Sequence, residues 1–122
     1  MFTRSEELNN NFNPDTNLIG VRIPDYPFLR EVCRHVGSSS PLALTSANIS
    51  NAQSSLSVEE FSSLHPSLQL VFDGGQLSDS EEARLGSTVL DLSQAGNYNI
   101  IRPGSAHNIV EKVMSKYGLS PR

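Results

Sequence analysis

The apolar residues of this chain come in short runs and never in a long one. Leu18–Arg22, Leu42–Thr45, Leu68–Phe72, Ser87–Leu92 and Tyr98–Arg102 are each cut off by proline, glycine or small polar residues. Short runs bounded by breakers predict β-strands. Apolar residues at 28, 29, 32, 33 and 36 repeat instead with a helical period, which predicts a helix over Tyr26–Val36. Asp25 is its candidate N-cap and Gly37 its stop. Ser57-Val58-Glu59-Glu60 has the spacing of a capping box. It predicts a second helix with Val58, Phe61 and Leu64 on one face, ending near His65-Pro66. A third helix is capped by Ser105, buries Ile109, Val110, Val113, Met114 and Tyr117, and ends at Gly118.

The connections follow from turn chemistry. Glu6–Asn10 reads as a single helical turn, Ser38–Ser40 as a flexible connection and Asp73-Gly74-Gly75 as a turn. Gln76–Arg84 is polar and acidic and reads as a mobile surface loop. Gly96-Asn97 suits a hairpin turn between the last two strands, and Pro103-Gly104 stops the final one. The predicted order is β-α-β-α-β-β-β-α. It implies an α/β chain of the α+β type: a twisted mixed sheet with flanking helices, parallel in front and antiparallel behind. There is no repeat and no internal boundary, so residues 1–122 read as one domain.

Composition narrows the function classes. The net charge of −4 disfavours non-specific nucleic-acid binding, which needs many cations against phosphate. Cys33 is the only cysteine. It allows no internal disulfide, fits a reducing compartment and falls on the apolar face of the first helix, where it reads as core. No run approaches the about 18 apolar residues of a membrane span, and the first residues lack a secretory apolar segment. The location expected is cytoplasmic.

Polar groups gather at strand ends. Arg22 closes the first strand, Ser46 and Asn48 follow the second, Ser87 and Thr88 open the fourth, and Arg102 closes the fifth. Ligands of open α/β sheets collect beyond strand ends. Arginine's fork of donors matches carboxylate or phosphate, and hydroxyl and amide groups orient such a ligand. The pattern therefore suits an anion. Each residue also has a plainer reading. Arg22 and Arg102 can be solvated, Ser46 and Asn48 can bond their own backbone in a turn, and Ser87 and Thr88 can be ordinary strand residues. His35, His65 and His107 read as surface or capping residues. No nucleophile elbow, catalytic triad, zinc spacing or phosphate-binding glycine loop is present in the sequence. Asn48-Ile49-Ser50 matches a glycosylation sequon, with no secretory segment to give it meaning.

Five elements, in order, are Val21-Arg22-Ile23-Pro24, Pro41 to Ser50 (PLALTSANIS), Leu70 to Gly75 (LVFDGG), Arg84 to Leu92 (RLGSTVLDL) and Ile100 to Gly104 (IIRPG). Together they resemble the YrdC-domain family across nearly the whole chain. The resemblance implies a nucleotidyltransferase that makes threonylcarbamoyl-AMP from L-threonine, bicarbonate and ATP, with Mg2+ carried on the ATP phosphates. That product serves the t6A modification of tRNA through downstream threonylcarbamoyl-transfer machinery, with no membrane involved. By the resemblance, Arg22, Ser46, Ser87 and Thr88 bind threonine, and Asn48 and Arg102 bind the nucleotide. No individual catalytic residue is assigned, and no protein metal ligand. A mitochondrial location is also open for a full-length parent.

The family's front elements, Thr-x-x-x-Gly-Leu and Lys-x-Arg, have no counterpart here, and no lysine precedes Lys112. The chain thus reads as the C-terminal portion of a YrdC-like domain. It is expected to be marginally stable, or to associate through an open sheet edge. The alternative function is a non-catalytic fragment acting as an RNA- or nucleotide-binding or regulatory module.

Overall fold

The hairpin that the back half predicts is the best-formed part of the computed structural model, which describes residues 1–37, 40–49 and 52–122. Strand β3 (Val89–Asp91) pairs antiparallel with β4 (Asn97–Arg102). Gly96, at φ 77°, supplies the left-handed residue of the connection. The Asp91 carboxylate accepts from the Ser93 amide at 2.9 Å and closes the turn's first half. A register shift between Val89 and Leu90 places a bulge just before the end of β4. Bulges bend a strand and re-aim its side chains, and the side chain beyond this one is Arg102. Strand β5 (Ser120–Pro121) adds to β4 in parallel, so this three-stranded sheet is mixed.

A second, two-stranded sheet joins β1 (Phe2–Thr3) to β2 (Leu18–Ile19), antiparallel. Met1 connects the two sheets: its carbonyl accepts from the Leu92 amide at 2.8 Å, and its amino group donates to the Leu90 carbonyl. The expected run Leu18–Arg22 is thereby shortened to Leu18–Ile19. Front strands in parallel pairing do not form; the parallel pair is β4 with β5.

Helix α1 (Pro27–Val36) matches its predicted span within one residue. Proline occupies its first turn, where a missing N–H costs nothing, and Tyr26, not Asp25, is the N-cap. Gly37 closes it at φ 85°, its amide donating to the Cys33 carbonyl at 3.1 Å. Helix α2 (His107–Lys116) ends as expected. Gly118, at φ 72°, donates to Ser115 O, and Leu119 donates to Met114 O, both at 3.0 Å. That pair of bonds is a Schellman cap.

Several expectations fail, for related reasons. Leu42–Thr45 and Leu68–Phe72 form no strand, and Gln69 lies in a bend. A strand needs a neighbour to bond its backbone, and none of the described residues supplies one. The capping box opens no α-helix. Ser57 bonds the Glu59 carboxylate instead, and Glu59–Ser67 is a 3₁₀ segment with a non-helical break at Phe61 and Pro66 inside it. Glu6–Asn10 forms turns, not a helical turn. Gln76–Arg84 is not loop throughout: Glu81–Leu85 makes a 3₁₀ turn capped by the Ser80 hydroxyl. Ser105 does not cap α2; its hydroxyl donates to Gly86 O at 3.3 Å. Cys33 is exposed, not core, and α2 leaves Ile109 and Tyr117 in solvent. The Ser38–Ser40 connection and Ser50 fall partly or wholly outside the described residues. Among the described residues no helix is long and apolar enough to cross a membrane.

Among the described residues the buried apolar core is Leu56 and Tyr98. Phe28 does find Phe72, ring centroids 5.0 Å apart, and this pair holds the 68–72 segment against α1. The accessible surface totals 9544 Å². A compact monomer of 13.3 kDa exposes about 6,450 Å². The excess is about 3,100 Å², more than three times the about 800 Å² each partner gives a standard interface. Ile23, Leu44, Leu70 and Phe72 are each more than 60% exposed, so much of the excess is apolar.

The isolated chain should therefore scatter X-rays with a radius of gyration well above the about 14 Å of a compact chain of this length, and it should bind a hydrophobic dye. A radius near 14 Å with no dye binding would contradict this surface.

Candidate functional site

The end of β4 turns back on the segment that precedes β3. Arg102 Nε and one terminal nitrogen both donate to the Ser87 carbonyl, at 3.2 and 2.8 Å. Two of the guanidinium's five N–H donors are thus fixed on one oxygen, which orients the exposed remainder. Two residues on, the Gly104 amide donates to Thr88 Oγ1 at 3.1 Å. Gly86 O accepts from the Ser105 amide at 3.0 Å and from its hydroxyl. Residues 86–88 and 102–105 are therefore laced together by five hydrogen bonds.

Glycine makes this contact possible. A Cβ on Gly104 would lie 2.4 Å from Gly86 O and 2.5 Å from Thr88 N, distances no side chain tolerates. Gly86 sits at φ 71°, and a Cβ there would meet Ser54 Oγ at 3.1 Å. The loop around Ser54 thus forms the second wall of the same corner.

That loop carries Asn48. Its Nδ2 donates to Ile49 O at 3.1 Å and to Ala52 O at 2.9 Å, so the side chain closes its own turn, as the plainer reading allowed. Its Oδ1 is buried and finds no hydrogen-bond partner among the described residues. Ser55 Oγ donates to Ala47 O at 3.0 Å and holds the turn's entry. Asn48, Ser55, Phe61, Leu64, Glu60 and Arg84 line a recess of about 250 Å³. Arg84 grips Glu60 with two nitrogens, at 2.6 and 3.2 Å. Hydrogen bonding from Arg84 holds the Glu60 carboxyl below its usual range, and Glu60 in turn raises the Arg84 guanidinium.

Of the six residues the sequence singles out, Ser87, Thr88 and Arg102 come together directly. Asn48 lines the adjoining recess. Ser46 and Arg22 are exposed, and no hydrogen bond or ion pair among the described residues ties either to the corner. The sequence reading missed Gly86, Gly104, Glu60 and Arg84. Both glycines stand in the elements that carry the family resemblance, Gly104 also as a strand stop, but neither was given a place in the site. Arg84 was assigned to a mobile loop. His35 and His107 each face a glutamate one turn away at 3.7 Å, on the surface of their helices, as expected.

The family model described as telomere recombination, which covers the Sua5, YciO and YrdC proteins, matches residues 1–104. A protein of Mus musculus named threonylcarbamoyl-AMP synthase is 55% identical over 121 residues, 97% of this chain and 42% of that protein. A Homo sapiens protein of the same name is 54% identical over 121 residues, covering 97% and 43%. A Bos taurus protein of that name is 52% identical over 120 residues, again 97% and 43%. The chain spans under half the length of these curated relatives. No solved structure matches it.

Gly104→Ala should force the two segments apart and destabilise the chain by about 1–3 kcal/mol, the range for overpacking, measured by urea unfolding. Unchanged stability would mean the contact is looser than described. The Glu60–Arg84 pair makes a second prediction. Its carboxyl is lowered on folding, so its stabilisation is complete above the ordinary value of 4.5 and lost as pH falls through the lowered one. Between about pH 6 and about pH 3, Glu60→Gln should therefore flatten part of the acid loss of stability. An identical pH profile in the variant would show that the pair contributes nothing.

Proposed function

This chain belongs to the Sua5, YciO and YrdC family, and from that premise we propose that it carries part of the site of a threonylcarbamoyl-AMP synthase. The reaction is the one its relatives' name implies. The threonine amine attacks carbon dioxide or bicarbonate to give a carbamate, and a carbamate oxygen attacks the α-phosphorus of ATP, expelling pyrophosphate. The observation that carries the reading is the corner at the end of β4, where the Arg102 guanidinium is held on the Ser87 carbonyl and the Thr88 hydroxyl accepts from the Gly104 amide.

In this reading Arg102 meets the nucleotide, and its fixed fork suits phosphate oxygens better than a mobile ammonium would. Thr88 Oγ1 accepts from the Gly104 amide, so its own proton is available to a threonine carboxylate or carbamate oxygen. Ser87 offers a second hydroxyl beside it. Arg22 closes on the threonine carboxylate, and Ser46 and Asn48 border the threonine and the phosphates. Holding three reactants in register is the main device here; it supplies about 7–11 kcal/mol in well-oriented systems. Magnesium enters with ATP as part of the substrate. Service to tRNA modification, through a separate transfer enzyme, follows from the product.

A second reading is favoured by one observation, the large apolar surface. A chain that exposes so much can act as a nucleotide-binding or regulatory module on another polypeptide without turning over substrate. The acidic balance counts against RNA as its ligand.

Labelled bicarbonate, threonine and ATP, supplied with and without the separately made front portion of the mouse relative, separate the two. Product formed when both pieces are present, at least tenfold reduced by Arg102→Ala or Arg22→Ala, supports the synthase. Nucleotide binding with no product under either condition supports the module. Retention of full activity in both arginine variants would remove the site proposed here.

A further inference from the structure

Arg84 lies outside every residue assigned above, yet more of its groups are fixed than those of any candidate. Its guanidinium takes Glu60 in a two-pronged bond, reaches Glu81 through Nε at 3.3 Å and donates to Ser54 O at 3.3 Å. Its own carbonyl accepts from the Ser54 amide at 3.4 Å. The side chain is 21% exposed, the most enclosed arginine among the recorded ion pairs. Two residues later comes Gly86, whose carbonyl is bonded by Ser105 and whose α-carbon faces Ser54 Oγ and Arg102.

A rigid path therefore runs from the Glu60 carboxylate, through Arg84 and Ser54, to the Gly86–Thr88 segment. On one side stands the recess bordered by Asn48, on the other the Arg102 corner. A planar guanidinium can hold three acceptors in fixed directions at once, which an ammonium cannot. Bidentate, partly enclosed pairs of this kind are the ones that contribute measurably. We propose that Arg84 is a positioning residue that locks the Asn48 loop to the Ser87, Thr88 and Arg102 corner, so that the two halves of the site keep one geometry. The inference rests on the synthase reading for what the corner binds; the locking itself does not depend on it.

Amide hydrogen exchange on the whole chain, without ligand, tests the lock. The Gly104 and Ser105 amides are bonded within the corner, to Thr88 Oγ1 and Gly86 O, and the Arg122 amide is bonded to Tyr98 O in the sheet. In Arg84→Ala, and more mildly in Glu60→Gln, exchange at the two corner amides should rise about tenfold while Arg122 keeps its rate. Unchanged corner rates in both variants would overturn the proposal. So would an equal rise at all three amides, because Arg84 would then be a general prop. Glu60→Gln, which leaves the Arg84 side chain in place, keeps the test decisive if Arg84→Ala fails to fold. Threonine and ATP titrations on the same samples report separately: accelerated corner exchange with no ligand binding by the wild-type chain would retain the lock and reject the synthase reading.

Discussion

Everything at the candidate site depends on how closely two stretches of backbone approach each other. Gly104 lies so near Gly86 O and Thr88 N that any side chain would collide. Because it approaches, its amide reaches the Thr88 hydroxyl, Ser105 reaches Gly86 O, and Arg102 folds onto the Ser87 carbonyl. The bulge in the hairpin bends the end of β4 toward this contact. The Arg102 guanidinium and the Ser87-Thr88 segment, 15 positions apart in the chain, are thus brought to one place. Such a site is held by hydrogen bonds and steric fit rather than by apolar burial.

The rest of the molecule has little of that second resource. With Leu56 and Tyr98 as the buried apolar residues among those described, the hydrophobic effect can secure only the 52–58 loop and the central strand β4. Segments 42–45 and 68–72 carry strand-like side chains with no strand beside them among the described residues. The curated relatives are more than twice as long as the matched region, and the chain's large apolar surface is physically suited to a further layer. Order at the corner and openness elsewhere are compatible because the corner's restraints are local and directional.

Much of this was legible in the residues. Helix α1 announced itself through a helical period and a following glycine, and the hairpin through its apolar runs and Gly96-Asn97. The Gly118 cap and the Asp73-Gly74-Gly75 turn were readable too, the latter closed by the Asp73 carboxylate on the Gly75 amide. All of these are set by chemistry within a few residues. Leu42–Thr45 and Leu68–Phe72 misled because a strand is a relation between segments, and their composition alone cannot supply the neighbour. Cys33 misled in the same way: its apolar face exists, but nothing among the described residues covers it. Ser57 and Ser105 were read as caps, yet each hydroxyl found another partner, Glu59 in one case and Gly86 O in the other. Of the site, the motif residues were readable one by one. The grouping of Ser87, Thr88 and Arg102, and the place of Arg84, arise from contacts across 15 and 24 positions that no local pattern encodes.

The account's central claim is that the Gly104 contact assembles the corner. The most direct measurement is a nuclear Overhauser spectrum of the labelled chain in solution. The close approach predicts a strong cross-peak between a Gly104 α-proton and the Thr88 amide proton, with a companion to Ser87. A well-resolved spectrum in which both cross-peaks are absent, while the β3–β4 cross-strand peaks are present, would contradict it.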